Sequence, residues 1–331
     1  MKKIVIINII LIILLIPLFE IISIFFAVGY RIKNLNDPTF MKRYREKNLV
    51  QYIIDSYIAY PVSSYDFGKA NLRPIAGIDF KKRPIVLFGC SIAHGDLLNN
   101  NNNFSAALSR ITKRPVYNMA FSGWCPSHML RLLQEDKRLL FLDNPEYIIY
   151  TFINDQKRRM FFYQGWRYNS QLYRVFELDK NDNLVLYPNK YPFYWRFMLS
   201  KHFQYAIERA DYINKEKVDK LLFKIFEESV DIIQKRYPKA KLALLLYDVK
   251  LCKDDSNIPI FKTEDILTKK EQEKFKELGF EIINMEELAG KSFCGEEYHA
   301  RCPIYGDVDP HHPSTKMWEE FVPKLVEKLK L

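Results

Sequence analysis

The chain has no internal repeat and no low-complexity tract beyond an asparagine run at 99–103, which reads as a loop. Repeat architectures are thereby set aside. Its 11 glycines include no Gly-rich phosphate loop, so nothing points to a nucleotide cradled on backbone N–H groups. Cysteine is sparse. Cys90, Cys125, Cys252, Cys294 and Cys302 are odd in number and irregularly spaced, which is no disulfide framework. In an extracytoplasmic domain Cys294 and Cys302 could bridge a short loop; the alternative is five free thiols. Cys294, His299, Cys302, His311 and His312 lack a standard zinc spacing, so neither a metal nor a cofactor is expected. Charge of one sign is in excess, with 50 Lys and Arg against 40 Asp and Glu, a net +10. The excess is spread along a Lys-, Asn- and Ile-rich chain and not gathered in a stripe, so nucleic-acid binding is not expected.

What is present starts with size. At 331 residues, 48% of them hydrophobic, the chain can build one large domain, or one domain and an accessory piece. Residues 4–28 form a long apolar run with a single charge, Glu20, flanked by Lys2 and Lys3 and then by Arg31 and Lys33. A helix of about 20 apolar residues spans a bilayer. The run is long for a signal-peptide core and lacks a good small-residue cleavage site, so an uncleaved N-terminal membrane anchor is expected. Orientation is less determined, because basic residues flank both ends. Residues 29–82 read as a stem and leader.

From residue 83 a βα rhythm begins. Apolar runs at 84–88, 115–120, 147–153, 241–247 and 280–284 show no alternation and are separated by helical periodicity at 104–111, 128–140, 218–236, 269–278 and 318–329. Such runs are strands buried on both faces. They predict an α/β fold of three αβα layers around a five-stranded, mainly parallel sheet, occupying 83–331. An aromatic-rich insertion at about 156–213 contains a hairpin, 173–178 against 184–187, turned at 180–183. Placed after a strand end, the insertion is a candidate lid or substrate wall.

Ligands of open α/β sheets bind beyond the carboxyl ends of the strands. After the first strand comes Gly89-Cys90-Ser91-Ile92-Ala93-His94. Ser91 is either a nucleophile at a strand-to-helix turn, its N–H facing a developing negative charge, or an N-cap. His94, three residues on, reads as packing near that site. After the second strand comes Ser122-Gly123-Trp124, where glycine either serves turn geometry or lets backbone approach a substrate. After the third comes Asn154, an oxyanion donor or a turn residue or cap. Near the carboxyl end, Asp309-Pro310-His311-His312-Pro313-Ser314 places an acid and an imidazole three apart in a polar turn before the final helix. The acid can fix one ring tautomer while the other nitrogen takes a proton.

In that order, Ser91, Gly123, Asn154 and Asp309 with His312 resemble the blocks of the SGNH (GDSL-type) hydrolase superfamily, over about 83–330. The chain departs from the pattern where Cys90 replaces the usual Asp, where Phe152 stands in place of a frequent Gly, and where His311 adds a second imidazole. The resemblance implies a flavodoxin-like SGNH fold. It also implies a Ser91–His312–Asp309 triad, and an oxyanion hole made by the Ser91 and Gly123 N–H groups and the Asn154 side chain. It further implies acyl transfer. The expected activity is that of a membrane-tethered serine esterase acting on an acyl ester, such as O-acetyl groups of a cell-surface glycan, with the catalytic domain outside the cytoplasm. An O-acetyltransferase sharing the same residues is the alternative, and a non-catalytic binding protein on the same fold a third.

Overall fold

The computed structural model describes residues 78–98, 101–121, 123–135, 144–161, 175–186, 214–248, 266–301 and 308–331. All of them fall in one compact unit formed by Ala59–Asn189 and Ala206–Leu331. The expected anchor at 4–28, most of the leader and much of the insertion lie outside the described residues. Among the described residues no helix is long and apolar enough to cross a membrane.

The central sheet contains β1 (Ile85–Phe88), β2 (Val116–Asn118), β3 (Tyr147–Ile153), β6 (Lys241–Tyr247) and β7 (Phe280–Asn284), in the order β2-β1-β3-β6-β7. Every pairing is parallel, with Phe88 opposite Tyr150 and Ile153 opposite Tyr247. Successive side chains of a strand point to opposite faces, and here both faces are covered. Val86, Phe88, Ile148, Tyr150, Phe152, Leu244 and Leu246 enter one core. Ile85, Leu87, Ile149, Ile153, Ala243 and Leu245 enter the other. This double burial is why the strands appear in the sequence as unbroken apolar runs.

On the first face lie α3 (Pro126–Glu135), α5 (Lys215–Arg236) and α6 (Lys269–Glu277); on the second, α2 (Phe104–Thr112), α7 (Met285–Ala289) and α8 (Thr315–Leu329). Phe226 of α5 and Phe275 of α6 meet edge to face, 4.8 Å apart, over the Phe152 ring. On the opposite face, Trp318 of α8 stacks on Phe104 of α2 at 4.6 Å. The expected hairpin forms as β4 (Phe176–Leu178) paired antiparallel with β5 (Leu184–Leu186). Asp179 caps its turn by accepting the N–H groups of Asn181 and Asn183.

One expectation is corrected and one alternative is excluded. The Asp309–Pro313 segment is not a turn. It lies in β9 (Val308–Pro313), paired antiparallel with β8 (His299–Arg301) just after a one-turn 3-10 helix, Glu296–Tyr298. His299 faces Pro313 and Arg301 faces Val308, so the residues between 308 and 313 form a bulge against a shorter partner. Bulges bend a strand and re-aim side chains, and they are common beside functional sites. The five cysteines are not all free: Cys90 and Cys125 are free and buried, while Cys294 is disulfide-bonded, its partner lying outside the described residues.

Candidate active site

Three adjacent strands deliver three of the sequence-predicted residues to one end of the sheet. β1 is central and leads into Ser91, β2 on one side leads toward Gly123, and β3 on the other leads into Asn154. In this strand order the chain connections diverge on either side of β1 and β3, leaving a crevice at their carboxyl ends.

After Phe88 the chain turns sharply through Gly89, whose φ is +147°. A Cβ there would lie 3.0 Å from the Thr151 carbonyl of β3. Glycine is needed because the turn leaves β1 pressed against its neighbour. Cys90 is the N-cap of the single-turn α1 (Ser91–His94) and makes no side-chain cap bond. Ser91 is therefore the first helical residue and not the cap, which removes one of its two sequence readings. α1 ends on Gly95 in the left-handed region, closed by its N–H to the Ser91 carbonyl at 2.9 Å.

The β2 turn is tied to both neighbours. The Met119 N–H donates to the Leu87 carbonyl at 2.7 Å and the Phe121 N–H to that of Gly89 at 3.3 Å. Buried Asn118 donates from Nδ2 to the Ala93 carbonyl of α1 at 2.8 Å and accepts the Ala120 N–H on Oδ1 at 3.1 Å. One amide thus fixes the end of the Ser91 helix and the start of the Gly123 turn. Gly123 has a φ of +79°, so its turn requires glycine whatever else the N–H does.

Asn154 lies in the turn after β3, and the cap of the following α4 (Gln156–Arg159) is Asp155, not Asn154. Asn154 Oδ1 is buried with no hydrogen-bond partner among the described residues. Such orphaned amides are rare unless a ligand or water completes them. Asp155 is clamped by Arg158 Nε on Oδ1 and Arg159 Nε on Oδ2, both at 2.6 Å. Burial would raise its pKa, but the two guanidiniums outweigh burial and hold the carboxyl below its usual range. Arg159 also reaches the Trp124 carbonyl at 3.4 Å, linking the Asn154 turn to the Gly123 turn.

β9, which carries Asp309, His311 and His312, lies in contact with α1 and so returns a segment more than 200 residues distant to the Ser91 helix. The side chains of Asp309 and His311 are outside the described residues; His312 is half-buried. The far end of β9 is fixed by Ser314. Its N–H donates to the Tyr298 carbonyl at 2.8 Å, its hydroxyl donates to the Glu297 carbonyl at 2.6 Å, and it accepts the Met317 N–H as N-cap of α8. Such a cap contributes about 1 kcal/mol.

Two features were not singled out from sequence, and a third was read as packing alone. Asn118 and the Asp155–Arg159 clamp look like ordinary turn and helix residues until the strands are adjacent. His94 is more than packing: its Nδ1 is 2.6 Å from Asp96 Oδ1, and its ring sits edge-on to Phe121. Cys125 and His128 also meet, at 3.3 Å, but burial pushes the thiol up to about 12 and leaves no thiolate for chemistry. A cavity of about 480 Å³ lined by Tyr147, Lys241 and Gly279 lies at the amino-terminal end of β3 and β6, remote from Ser91, and has none of these groups.

No family model and no curated protein matches the sequence. Similar solved structures include a carbohydrate esterase family 2 enzyme with a carbohydrate-binding domain from Corynascus thermopiles (Myceliophthora fergusii), at 12% identity over 78% of this chain and 68% of that one, TM-score 0.39. The lipase Lip_vut3 from a goat rumen metagenome aligns at 14% identity over 74% and 97%, TM-score 0.42. The salicylyl-acyltransferase SsfX3 from a tetracycline biosynthetic pathway aligns at 12% over 78% and 59%, TM-score 0.40. At these identities the likeness to the solved structures is one of fold alone.

Proposed function

We propose that the chain is a serine esterase that cleaves an acyl ester through Ser91, with O-acetyl groups of a glycan as its substrate class. One observation carries the reading. Three adjacent parallel strands lead toward Ser91, Gly123 and Asn154, and the Ser91 helix touches the bulged strand that bears Asp309 and His312. Asn154 Oδ1, buried without a hydrogen-bond partner among the described residues, leaves its amide unanchored there and is compatible with an Nδ2 turned toward a ligand.

In this reading His312 takes the Ser91 hydroxyl proton as Oγ bonds to the ester carbonyl carbon, and Asp309 orients the imidazole and stabilises its cation. The oxyanion is held by the Ser91 and Gly123 N–H groups and the Asn154 amide. α1 is a single turn, so the donors act as local N–H groups and not through a long helix dipole. Collapse breaks the bond to the alcohol, which departs with the proton from His312. Water then attacks the acyl-serine carbonyl and gives up a proton to His312; collapse breaks the acyl–Oγ bond, His312 returns the proton to Ser91 Oγ, and the acid leaves.

Half-buried Phe121 and Trp124, 5.5 Å apart beside Gly123, supply apolar ring faces of the kind sugars pack against. Residues 4–28 serve in this proposal as a membrane anchor, with the catalytic domain outside the cytoplasm. The disulfide at Cys294 fits an oxidising compartment. The test is to supply an acetyl-ester donor with and without an oligosaccharide, and to follow free acetate against acetylated sugar. Acetate in both conditions supports the esterase; product only on the sugar replaces it with the O-acetyltransferase.

A further inference from the structure

We propose that His94, held by Asp96, forms a subsite for the alcohol half of the ester, in which Nε2 accepts a hydrogen bond from a hydroxyl adjacent to the acylated one. The proposal rests on the Ser91 reading and adds to it the recognition of a polyol.

The argument begins with position. His94 follows Ser91 by three residues on α1, so both project from one side of a single helical turn. Asn118 fixes the neighbouring Ala93 carbonyl, and a Cβ at Gly95 would come within 2.4 Å of Asn103 Cβ, so the end of α1 is packed tightly from behind. The imidazole is then set by two contacts. Phe121, two residues before Gly123, meets it edge to face with centroids 5.4 Å apart. The Asp96 carboxylate lies 2.6 Å from Nδ1. A carboxylate at that distance accepts, so Nδ1 carries the proton, and in the neutral ring Nε2 presents a lone pair.

Nε2 makes no hydrogen bond to a described residue, and the side chain is about 31% exposed. A core histidine would be buried with both nitrogens satisfied. This one is oriented by the Asp96 carboxylate and left open on its other nitrogen, between the Ser91 turn and the Gly123 turn. An oriented acceptor in that place suits a hydroxyl donor. A site built to bond a hydroxyl discriminates strongly against the analogue lacking it.

The test compares glycerol monoacetate with propyl acetate, which share the acyl group and differ in the hydroxyls of the alcohol. The wild-type chain is expected to prefer glycerol monoacetate in kcat/KM. His94→Phe, which keeps a ring and removes the acceptor, lowers that preference about tenfold, chiefly through KM. His94→Gln, which restores an acceptor, recovers part of it, and Asp96→Asn falls between. A wild-type chain without the preference, an unchanged preference in His94→Phe, or an equal loss on both esters would overturn the subsite; the last would make His94 a participant in the chemistry. A readout independent of turnover is the imidazole nitrogen spectrum of the Ser91→Ala protein titrated with glycerol monoacetate. The His94 Nε2 resonance moves if the subsite exists; a fixed resonance refutes it even where the esterase reading has failed on its own test.

Discussion

Arg159 Nε lies 2.6 Å from Asp155 Oδ2, and the same guanidinium reaches the Trp124 carbonyl. The pair therefore joins the turn that carries Asn154 to the turn that carries Gly123. In the proposed reading Arg159 is a positioning residue, holding the turns that carry Asn154 and Gly123 at a fixed separation. Misplacement of catalytic groups by about 1 Å costs on the order of a hundredfold. Arg159→Met is expected to lower kcat between about tenfold and a hundredfold, with KM moving far less, and Arg159→Lys to recover part of the loss. A change confined to KM would argue against the positioning role.

The Asp155 clamp also has a pH signature. The folded-state pKa is depressed below the usual 3.8, so the folded protein binds fewer protons than the unfolded chain. The carboxylate's stabilisation is complete above the unfolded value and is lost as pH falls through the lower folded one. The stability gap between wild type and Asp155→Asn should stay level from about pH 7 to pH 5 and narrow below about pH 4, near the unfolded aspartate value. Denaturant unfolding across that range measures it; a gap that widens in acid contradicts the assignment.

Gly89 should tolerate no side chain. Its φ of +147° and a 3.0 Å approach of a Cβ to the Thr151 carbonyl both oppose alanine. Gly89→Ala is expected to cost about 2 kcal/mol, as residues forced into sparsely populated backbone regions do. It should also lower turnover, because the turn it distorts aims Ser91. A thermal melt and an ester assay on the same preparation check both.

Cys125 should be silent toward thiol reagents. With its thiol pushed up to about 12 and fully buried, it stays protonated and shielded in the native protein. Iodoacetamide at about pH 8, just below the ordinary cysteine value, is expected to leave Cys125 unmodified until denaturant is added. Rapid native-state labelling there would reopen the Cys125–His128 pair as a reactive site.

The sheet was legible because its strands are buried on both faces: the runs at 147–153, 241–247 and 280–284 coincide with β3, β6 and β7. Helix boundaries were close where a cap marks them. Thr268 forms a capping box with Glu271 at the start of α6, and Asn103 caps α2. Short elements were not legible. Four residues of α1 are too few to show a period, so Ser91 read equally as a cap, a place Cys90 takes. The Asp309–Pro313 segment read as a turn because its prolines and polar residues are turn formers. Its pairing with β8 depends on a bulge that no local pattern encodes. His94 read as packing because its partner Asp96 gains meaning only once Gly95 has turned the chain back.

The central claim is that Ser91 is the nucleophile. The direct measurement is hydrolysis of an activated acetyl ester by wild type and by Ser91→Ala, with secondary structure and melting temperature recorded for both. Triad members act as a unit, so loss of the nucleophile should remove turnover by a factor on the order of 10⁶, in practice to background, while the fold is retained. A folded Ser91→Ala protein that hydrolyses the ester at the wild-type rate would contradict the account.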